Sequence, residues 1–268
     1  MNEKIEYKVL ARKYRPQTFA DLIGQETLVQ ILSNAITTNR IANAYLLTGV
    51  RGVGKTTTAR LIAMSLNCEN KKEHTCEPCG SCDSCKSIRS DHNLDVIEMD
   101  AASKTGVDDV REIIDNVKYK PVNCKFKIFI IDEVHMLSKS AFNALLKTLE
   151  EPPEHVKFIF ATTEVKKIPI TILSRCQRFD LKRVESKDLT QHLKKISELE
   201  KVKINEDAIS LLVRAGDGSV RDSLSLLDQA IINNNTTVTA KTVANMLGLA
   251  DRGKIYELLG HIVKGQAS

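Results

Sequence analysis

Residues 44–56 read Ala-Tyr-Leu-Leu-Thr-Gly-Val-Arg-Gly-Val-Gly-Lys-Thr, and this stretch decides the fold. The apolar run from Ala44 to Leu47 predicts a buried strand, and residues 57–66 predict a helix. Between them lies the pattern G-x-x-x-x-G-K-T, which is a P-loop when a strand precedes it and a helix follows it. We therefore expect an α/β protein that binds the phosphates of a nucleotide.

Each residue type in this loop has a physical role. Glycines let backbone N–H groups converge on phosphate oxygens, and the helix start adds the positive end of a dipole. Lys55 is expected to neutralise the β- and γ-phosphates, and the Thr56 hydroxyl is expected to ligate Mg²⁺. The residues predicted to surround the nucleotide are Gly49, Val50, Arg51, Gly52, Val53, Gly54, Lys55, Thr56 and Thr57.

Composition sets the broad class of protein. With 268 residues, 42% apolar and 27% charged, the chain is long enough for one large or two modest globular domains. No apolar run approaches the roughly 18 residues of a membrane span, and the N-terminus lacks the apolar core of a signal peptide. These features predict a cytoplasmic protein. The net charge of +5 permits contact with nucleic acid without requiring it.

Apolar strands alternate with helices through the first two thirds of the chain. After the P-loop strand, further strands are predicted at residues 95–99, 127–131, 156–161 and 178–181. Short connections and intervening helices predict a parallel five-stranded sheet covered on both faces.

The pattern changes near residue 184. Helices are predicted at residues 186–201, 205–215, 219–233 and 239–247, with no strand between them, and a further helix at 254–263. We therefore expect a nucleotide-binding domain at 1–183, a small all-helical lid domain at 184–247, and the start of a truncated third domain at 248–268.

Two carboxylates follow the strand at 127–131. Asp132 lies where open parallel sheets place their ligand crevice, so it is expected to hold Mg²⁺ with Thr56. Glu133 is expected to orient and deprotonate the attacking water.

Three further polar residues are candidates for catalysis. Thr163 ends the fourth strand, where its hydroxyl could sense the γ-phosphate, or could be an ordinary strand-end hydroxyl. The Arg175 guanidinium carries a positive charge and could stabilise phosphoryl charge in the transition state. Arg221 begins a helix of the predicted lid, from which it could reach a nucleotide bound between the domains. His135 is interpreted as a packing residue.

Five of the seven cysteines lie between Cys68 and Cys85. Cys79, Cys82 and Cys85 provide three thiolates in a tight knuckle, and an upstream cysteine can complete a tetrahedron. The x₃-C-P ending of an iron–sulfur run is missing, so a structural zinc site is favoured. By spacing alone, either Cys68 or Cys76 could be the fourth ligand.

Together these motifs resemble the γ/τ subunits of bacterial DNA polymerase III, which are clamp-loader ATPases of the AAA+ class. The resembling stretches cover residues 8–230 and read LARKYRPQTFADLIGQE, GVRGVGKTTTAR, CGSCDSC, EMDAAS, IIDEVHMLSKSAFNALLKTLEEPPEHVKFIFATTE, ILSRC and GDGSVRDSLSLLDQA.

This resemblance implies a role for each motif. Gly49–Thr56 would be Walker A, and Asp132 with Glu133 would be Walker B. Thr163 would be sensor 1, Arg221 would be sensor 2, and Arg175 would complete the site of a neighbouring subunit. The family's zinc module would match Cys68, Cys79, Cys82 and Cys85, although this chain also carries Cys76.

The resemblance also implies ATP, Mg²⁺ and Zn²⁺ as cofactors and a role in DNA replication, in which ATP drives loading of a sliding clamp onto primed DNA. Expected partners are the other clamp-loader subunits in a hetero-oligomeric ring, the clamp and primed-template DNA. Polymerisation itself would belong to another subunit of the DNA-directed DNA polymerase III holoenzyme. Residues 103–105 could face DNA phosphates or simply cap the following helix.

Two alternative functions belong to other classes of protein. A scaffold would hold the nucleotide without hydrolysing it, but the set of Lys55, Asp132, Glu133 and Arg175 argues against this. A DNA motor of the branch-migration kind would share the P-loop, but the cysteine insert and the Ser-Arg-Cys element disfavour it.

Overall fold

The computed structural model of the protein describes residues 7–71, 75–234, 237–249, 260–263 and 265. The chain divides into two compact units. The larger comprises Tyr14–Val184, and the smaller combines Met1–Lys13 with Glu185–Ser268. Among the described residues, no helix is both long enough and apolar enough to cross a membrane.

The strands and helices follow the alternation predicted from the sequence. The strands are β1 (Ala44–Thr48), β2 (Val96–Asp100), β3 (Lys127–Asp132), β4 (Val156–Thr162), β5 (Gln177–Asp180), β6 (Lys203–Ile204) and β7 (Thr237–Val238). The α-helices are α1 (Leu10–Lys13), α2 (Glu26–Thr37), α3 (Lys55–Asn67), α4 (Asp83–Arg89), α5 (Val107–Val117), α6 (Lys139–Glu150), α7 (Ile170–Leu173), α8 (Ser186–Leu199), α9 (Glu206–Gly216), α10 (Val220–Asn234) and α11 (Ala240–Met246).

A parallel sheet of five strands, in the order β2-β3-β4-β1-β5, forms the centre of the larger unit. Strands β1 and β4 are buried along their whole length, as expected for central strands whose two faces are both covered. One apolar cluster packs α2 and α3 on one face, and a second packs α5 and α6 on the other. The predicted five-stranded sheet is confirmed.

The sheet order determines where the chemistry can lie. Because all five strands are parallel, the residues that follow β1, β3 and β4 meet at one edge. Thr48 at the end of β1 pairs with Thr162 at the end of β4. The P-loop, the Asp132–Glu133 pair and Thr163 therefore lie along the same crevice.

Helices α8 to α11 make up most of the smaller unit. The sequence predicts no strand among them, but β6 and β7 form a two-stranded parallel sheet, with Lys203 opposite Thr237. Each strand has only two residues, which is too short for a periodic pattern to reveal it.

The N-terminal segment is shared between the two units. Residues 7–13 group with the helical unit, where the Leu10 N–H donates to Asp228 Oδ2 at 3.3 Å and Lys13 Nζ lies 2.6 Å from Glu200 Oε1. This division differs from the predicted bounds of 1–183. Of the predicted 254–263 helix, residues 260–263 are helical and the rest lies outside the described residues, as does most of the predicted third domain.

Candidate nucleotide and metal sites

The P-loop joins the end of β1 to the start of α3. Gly49 has φ of +148°, and a Cβ there would lie 2.7 Å from the Leu181 carbonyl oxygen, so only glycine fits. Gly54 has φ of +104° and leads directly into α3. Val53 is buried and anchors the middle of the loop. The loop therefore keeps its backbone open at the N-terminus of a 13-residue helix, where anions bind.

Lys55 is held across this loop. Its Nζ donates to the carbonyl oxygens of Gly49 at 3.1 Å and Val50 at 3.0 Å. Burial lowers the pKa of Lys55, while the charges of Glu133 and Asp132 act in the opposite direction. The ammonium group thus lies among carbonyl oxygens and near two carboxylates, which is a suitable place to receive a phosphate oxygen.

Thr56 and Asp132 are in direct contact. The Thr56 hydroxyl donates a short hydrogen bond to Asp132 Oδ2, although the two residues lie on different elements. Asp132 Oδ1 accepts the Glu133 N–H at 2.9 Å. A hydroxyl and a carboxylate oxygen brought together beside Lys55 are the kind of ligands Mg²⁺ prefers. The predicted pair therefore fits a magnesium ion in its donor set.

Glu133 occupies a constrained position just after β3. Its backbone is left-handed, with φ of 45° and ψ of 43°, a conformation that costs a non-glycine residue about 1 kcal/mol. Its Oε2 accepts the hydroxyl of Thr163 at 3.0 Å and the N–H of Thr163 at 3.2 Å. The predicted base and the predicted γ-phosphate sensor thus form one hydrogen-bonded pair.

His135 contributes to this pair, although the sequence indicates only a packing role. Its side chain is almost wholly buried, and Nδ1 lies 3.0 Å from Thr162 Oγ1 and 3.4 Å from Glu133 Oε2. Nε2 lies 3.5 Å from Glu164 Oε1. Its position two residues after Glu133 is the signal that the sequence offers, but Thr162 lies at the end of β4, so that contact depends on the strand order.

The two predicted arginines do not take part in these contacts. Arg175 follows α7, and its guanidinium lies 2.5 Å from Glu150 Oε1 and 2.6 Å from the Thr171 carbonyl oxygen. Arg221 lies in the first turn of α10, in the helical unit. Among the described contacts, neither joins the Thr56–Asp132 pair or the Glu133–Thr163 pair.

Four cysteines converge in the insert between α3 and β2. The Sγ atoms of Cys68, Cys79, Cys82 and Cys85 all lie within 4.8 Å of one another. Four thiolates that bind one zinc ion lie about 3.8 Å from one another, so the sulfur atoms need to move only slightly closer together to form such a site. The Cys79 N–H points to Cys68 Sγ at 3.3 Å, and the Cys82 N–H points to Cys79 Sγ at 3.3 Å.

These backbone contacts favour the thiolate form of one ligand. The N–H groups of Cys82 and Ser81 lower the pKa of Cys79 to about 6. Burial acts in the opposite direction at Cys85 and raises the pKa of its thiol. Bringing four soft thiolates together without a cation would be unfavourable, so the donor set fits a soft cation such as zinc.

Cys76 lies outside this group of four. It is buried beside a cavity of about 480 Å³ between α2 and residues 75–77, and its thiol interacts with the Ser33 side chain. Of the two alternatives left by spacing, the structure brings Cys68 to the other three thiols.

Residues 102–105 follow β2 and are exposed. The N–H of Gly106, at the start of α5, is satisfied by Asp109 Oδ2 at 3.1 Å, and the Ser103 hydroxyl donates to the Asp100 carbonyl oxygen at 3.0 Å. Ser103 therefore does not cap α5.

Two family models match this chain. One is described as DNA polymerase III, delta subunit, and matches residues 24–185. The other is described as DNA polymerase III clamp loader subunit, ATPase lid domain, and matches residues 188–235. Together they span most of the larger compact unit and about half of the smaller one.

Curated relatives are similar over nearly the whole chain. The DNA polymerase III subunit tau/gamma of Haemophilus influenzae is 51% identical over 97% of this chain and 38% of its own length. The subunit tau of Escherichia coli is 50% identical over 97% of this chain and 40% of its own length. The subunit gamma of Buchnera aphidicola from Acyrthosiphon pisum is 48% identical over 97% of this chain and 72% of its own length. The chain thus spans about two-fifths of the length of the first two relatives.

Solved structures with the same fold include a Thermotoga maritima RuvB described as a Holliday junction branch migration motor. It has a TM-score of 0.62 and 18% identity, and the match covers 88% of this chain and 72% of that chain. A single-residue variant of the same RuvB has a TM-score of 0.63 at 18% identity, with the same coverage of both chains. At this identity the likeness concerns the AAA+ fold alone.

Proposed function

Because this chain belongs to the gamma/tau subunit family of bacterial DNA polymerase III, we propose that it is an ATPase subunit of a clamp loader. It would bind and hydrolyse ATP to open a sliding clamp and load it onto primed DNA during chromosomal replication. Its partners would be the other loader subunits, the clamp and primed-template DNA, and it would act in the cytoplasm. The observation that carries the proposal is the Thr56–Asp132 contact, which stands beside the buried Lys55 at the P-loop.

This geometry supports a role for each of the site residues. Lys55 would exchange its two carbonyl partners for β- and γ-phosphate oxygens, and the N–H groups of residues 49–57 would hold the remaining oxygens. Magnesium held by Thr56 and Asp132 would offset the negative charge of the phosphates.

Glu133 would orient a water for in-line attack and accept its proton. In the present structure its carboxylate is engaged by Thr163, so Thr163 is well placed to set the direction of that carboxylate. Arg221 would act as the second sensor of the nucleotide, and Arg175 would act on the nucleotide of a neighbouring subunit.

Zinc is our proposal for the four-cysteine cluster. Its role would be structural, because all four sulfur atoms would act as ligands and no coordination position would be left for a reactive water.

The decisive experiment combines nucleotide binding with hydrolysis in the complex reconstituted from full-length subunits. Lys55→Ala is expected to weaken ATP binding by roughly 10- to 100-fold, which is the loss of affinity expected when one charge-assisted hydrogen bond is removed. Asp132→Asn is expected to abolish clamp-stimulated hydrolysis. Lys147→Ala, an exposed lysine on α6, is the matched control and should retain wild-type values.

Two outcomes would contradict the proposal. If Lys55→Ala retained ATP tightly, the P-loop role would be wrong. If the wild-type complex bound ATP without hydrolysing it in a single turnover in the presence of clamp and primed DNA, the chain would be a scaffold rather than an ATPase.

A further inference from the structure

Glu77 connects the four-cysteine cluster to the segment before α2, which we call the N-terminal strap (residues 14–25). Its Oε2 accepts the Phe19 N–H at 2.9 Å and its Oε1 accepts the Ala20 N–H at 2.9 Å. Both oxygens of one carboxylate thus bind consecutive backbone amides at the start of a short 3-10 turn. Such charge-assisted contacts are about twice as strong as neutral hydrogen bonds.

The cysteine cluster determines where this carboxylate lies. Glu77 precedes Cys79 by two residues, and the Cys79 N–H is directed at Cys68 Sγ. The Glu77 N–H donates to Thr75 Oγ1 at 3.1 Å, which orients the same short segment. A metal that draws the four sulfur atoms together would therefore fix the backbone that carries Glu77.

The other end of the strap reaches the P-loop. Gln25 is almost wholly buried, and its side-chain amide bonds both backbone groups of Lys182: Nε2 donates to the carbonyl oxygen at 2.9 Å, and Oε1 accepts the N–H at 3.2 Å. The preceding Leu181 donates its N–H to the Thr48 carbonyl oxygen at 2.7 Å and lies against Gly49.

Between these two ends the strap is packed rather than loose. Phe19 and Leu22 are buried in the same apolar cluster as α2 and α3. A displacement at Phe19 would therefore be transmitted to Gln25, since close-packed interiors transmit strain.

We propose that Glu77 is a positioning residue that couples the cysteine cluster to the P-loop, so that a metal at the cluster and a nucleotide at the P-loop each strengthen binding of the other. The proposal rests on the nucleotide-binding role proposed above. Because coupling between two sites is reciprocal, both affinities must change by the same factor. Among the contacts described for the strap, none reaches Lys55, Thr56 or Glu133, so its effect is expected on nucleotide affinity.

The test measures three quantities in the full-length protein: the Kd for ATP, the Kd for Zn²⁺ by competition with a chromophoric chelator, and hydrogen exchange of the Phe19 and Ala20 amides. Glu77→Ala should raise the Kd for ATP of the metal-loaded protein, and the Kd for Zn²⁺ of the ATP-bound protein, each about fivefold, at the lower end of typical coupling. It should also speed exchange at the two amides about tenfold. Removing the metal from the wild-type protein should raise the Kd for ATP by the same factor.

Two further variants sharpen the test. Glu77→Gln keeps one acceptor oxygen and should therefore raise the two dissociation constants by less than Glu77→Ala does. It also tests the coupling if Glu77→Ala does not fold. Asp83→Asn removes an exposed carboxylate from the first turn of α4 in the same insert. No described contact joins Asp83 to the strap, so the Kd for ATP should be unchanged.

The outcomes separate the coupling from the proposed function. If the wild type binds ATP and neither Glu77→Ala nor metal removal changes that affinity, the coupling is overturned while the ATP-binding role stands. If the wild type does not bind ATP, both fail. Unchanged exchange at Phe19 and Ala20 in Glu77→Ala would overturn the anchoring role of Glu77 in either case.

Discussion

Asp95, just before β2, is the residue whose charge contributes most clearly to the fold. It is 1% exposed, and its two oxygens accept the N–H groups of Val122 at 2.7 Å, Asn123 at 2.7 Å and Cys124 at 2.9 Å. Burial raises the pKa of Asp95, but the three N–H groups together lower it by more, so the pKa lies below its usual value. The carboxylate thereby holds the turn that leads into β3.

This arrangement predicts a pH-dependent loss of stability. Since the folded-state pKa is depressed, the contribution of Asp95 is fully present above the unfolded-state pKa of about 3.9 and is lost as the pH falls through the folded value. Asp95→Asn should therefore lower the free energy of unfolding by about 1–3 kcal/mol at pH 7. The difference from wild type should shrink below roughly pH 4.

The measurement is chemical denaturation of wild type and variant at each pH, so that metal release at low pH is common to both. Asp115→Asn is the matched control, because Asp115 is an exposed carboxylate paired only with Lys118 among the contacts described. It should change stability by less than about 0.5 kcal/mol. If the difference in unfolding free energy between wild type and Asp95→Asn did not vary with pH, the stabilising role of the Asp95 charge would be contradicted.

At the scale of elements, the contact between α9 and α10 depends on Gly216. This glycine is the last residue of α9, but the left-handed residue that ends the helix is Asp217, with φ of 47°. Gly216 is buried, and a Cβ there would lie 1.9 Å from Ser223 Oγ and 3.0 Å from Ser223 Cβ. The absence of a side chain is therefore what lets α10 approach.

Gly216→Ala should consequently destabilise the helical unit. Overpacking costs about 1–3 kcal/mol, which exceeds the gain of up to about 1 kcal/mol in helix propensity. For a unit of this size, each kcal/mol corresponds to a fall in Tm of about 4–8 °C, which thermal unfolding would detect.

A double-mutant cycle identifies the cause. Adding Ser223→Ala removes the nearest clashing atom and should recover part of the stability lost in Gly216→Ala. Ala215→Ser, at the exposed neighbouring position, should be nearly neutral. Equal losses in the single and double variants would exclude the Ser223 clash as the cause.

The elements that could be predicted from the sequence are those with a long periodic or apolar pattern. Strands β1, β3 and β4 are continuous apolar runs, and α8 to α10 carry clear apolar faces, so their positions agree with the structure to within about two residues, the usual uncertainty at element ends. The pair β6 and β7 could not be predicted, because two residues carry no pattern and their pairing joins segments far apart in the chain. Helix α4 is also hidden, since its first turn is part of the cysteine knuckle.

At the scale of the whole molecule, the candidate site was predictable wherever one motif carries several of its residues. The P-loop supplies Lys55 and Thr56 together, and Asp132 follows a recognisable central strand. The contacts of Glu133 with Thr163 and His135 depend on β3 and β4 being neighbours, which the sequence alone does not specify. Glu77 and Gln25 were missed for a similar reason, because each acts on backbone groups distant in sequence.

Arg175 is expected to act in the assembled complex rather than in the single chain. Its described contacts with Glu150 and Thr171 leave it apart from the Thr56–Asp132 pair of its own chain, which suits a residue that acts on a neighbouring subunit. Arg175→Ala should lower the ATPase rate of the reconstituted complex by about 10³-fold, the lower end of the range for arginine fingers. Arg175→Lys should not restore the rate, because the ammonium group of lysine lacks the planar arrangement of N–H donors that a guanidinium has.

The matched control for Arg175 is its ion-pair partner. Glu150→Gln breaks only a partly exposed ion pair, so it should change the ATPase rate of the complex little. ATP affinity of the isolated chain should be unchanged in all three variants, because the guanidinium is expected to act only across the subunit interface. A loss of that affinity in Arg175→Ala would place the residue at its own subunit's nucleotide instead.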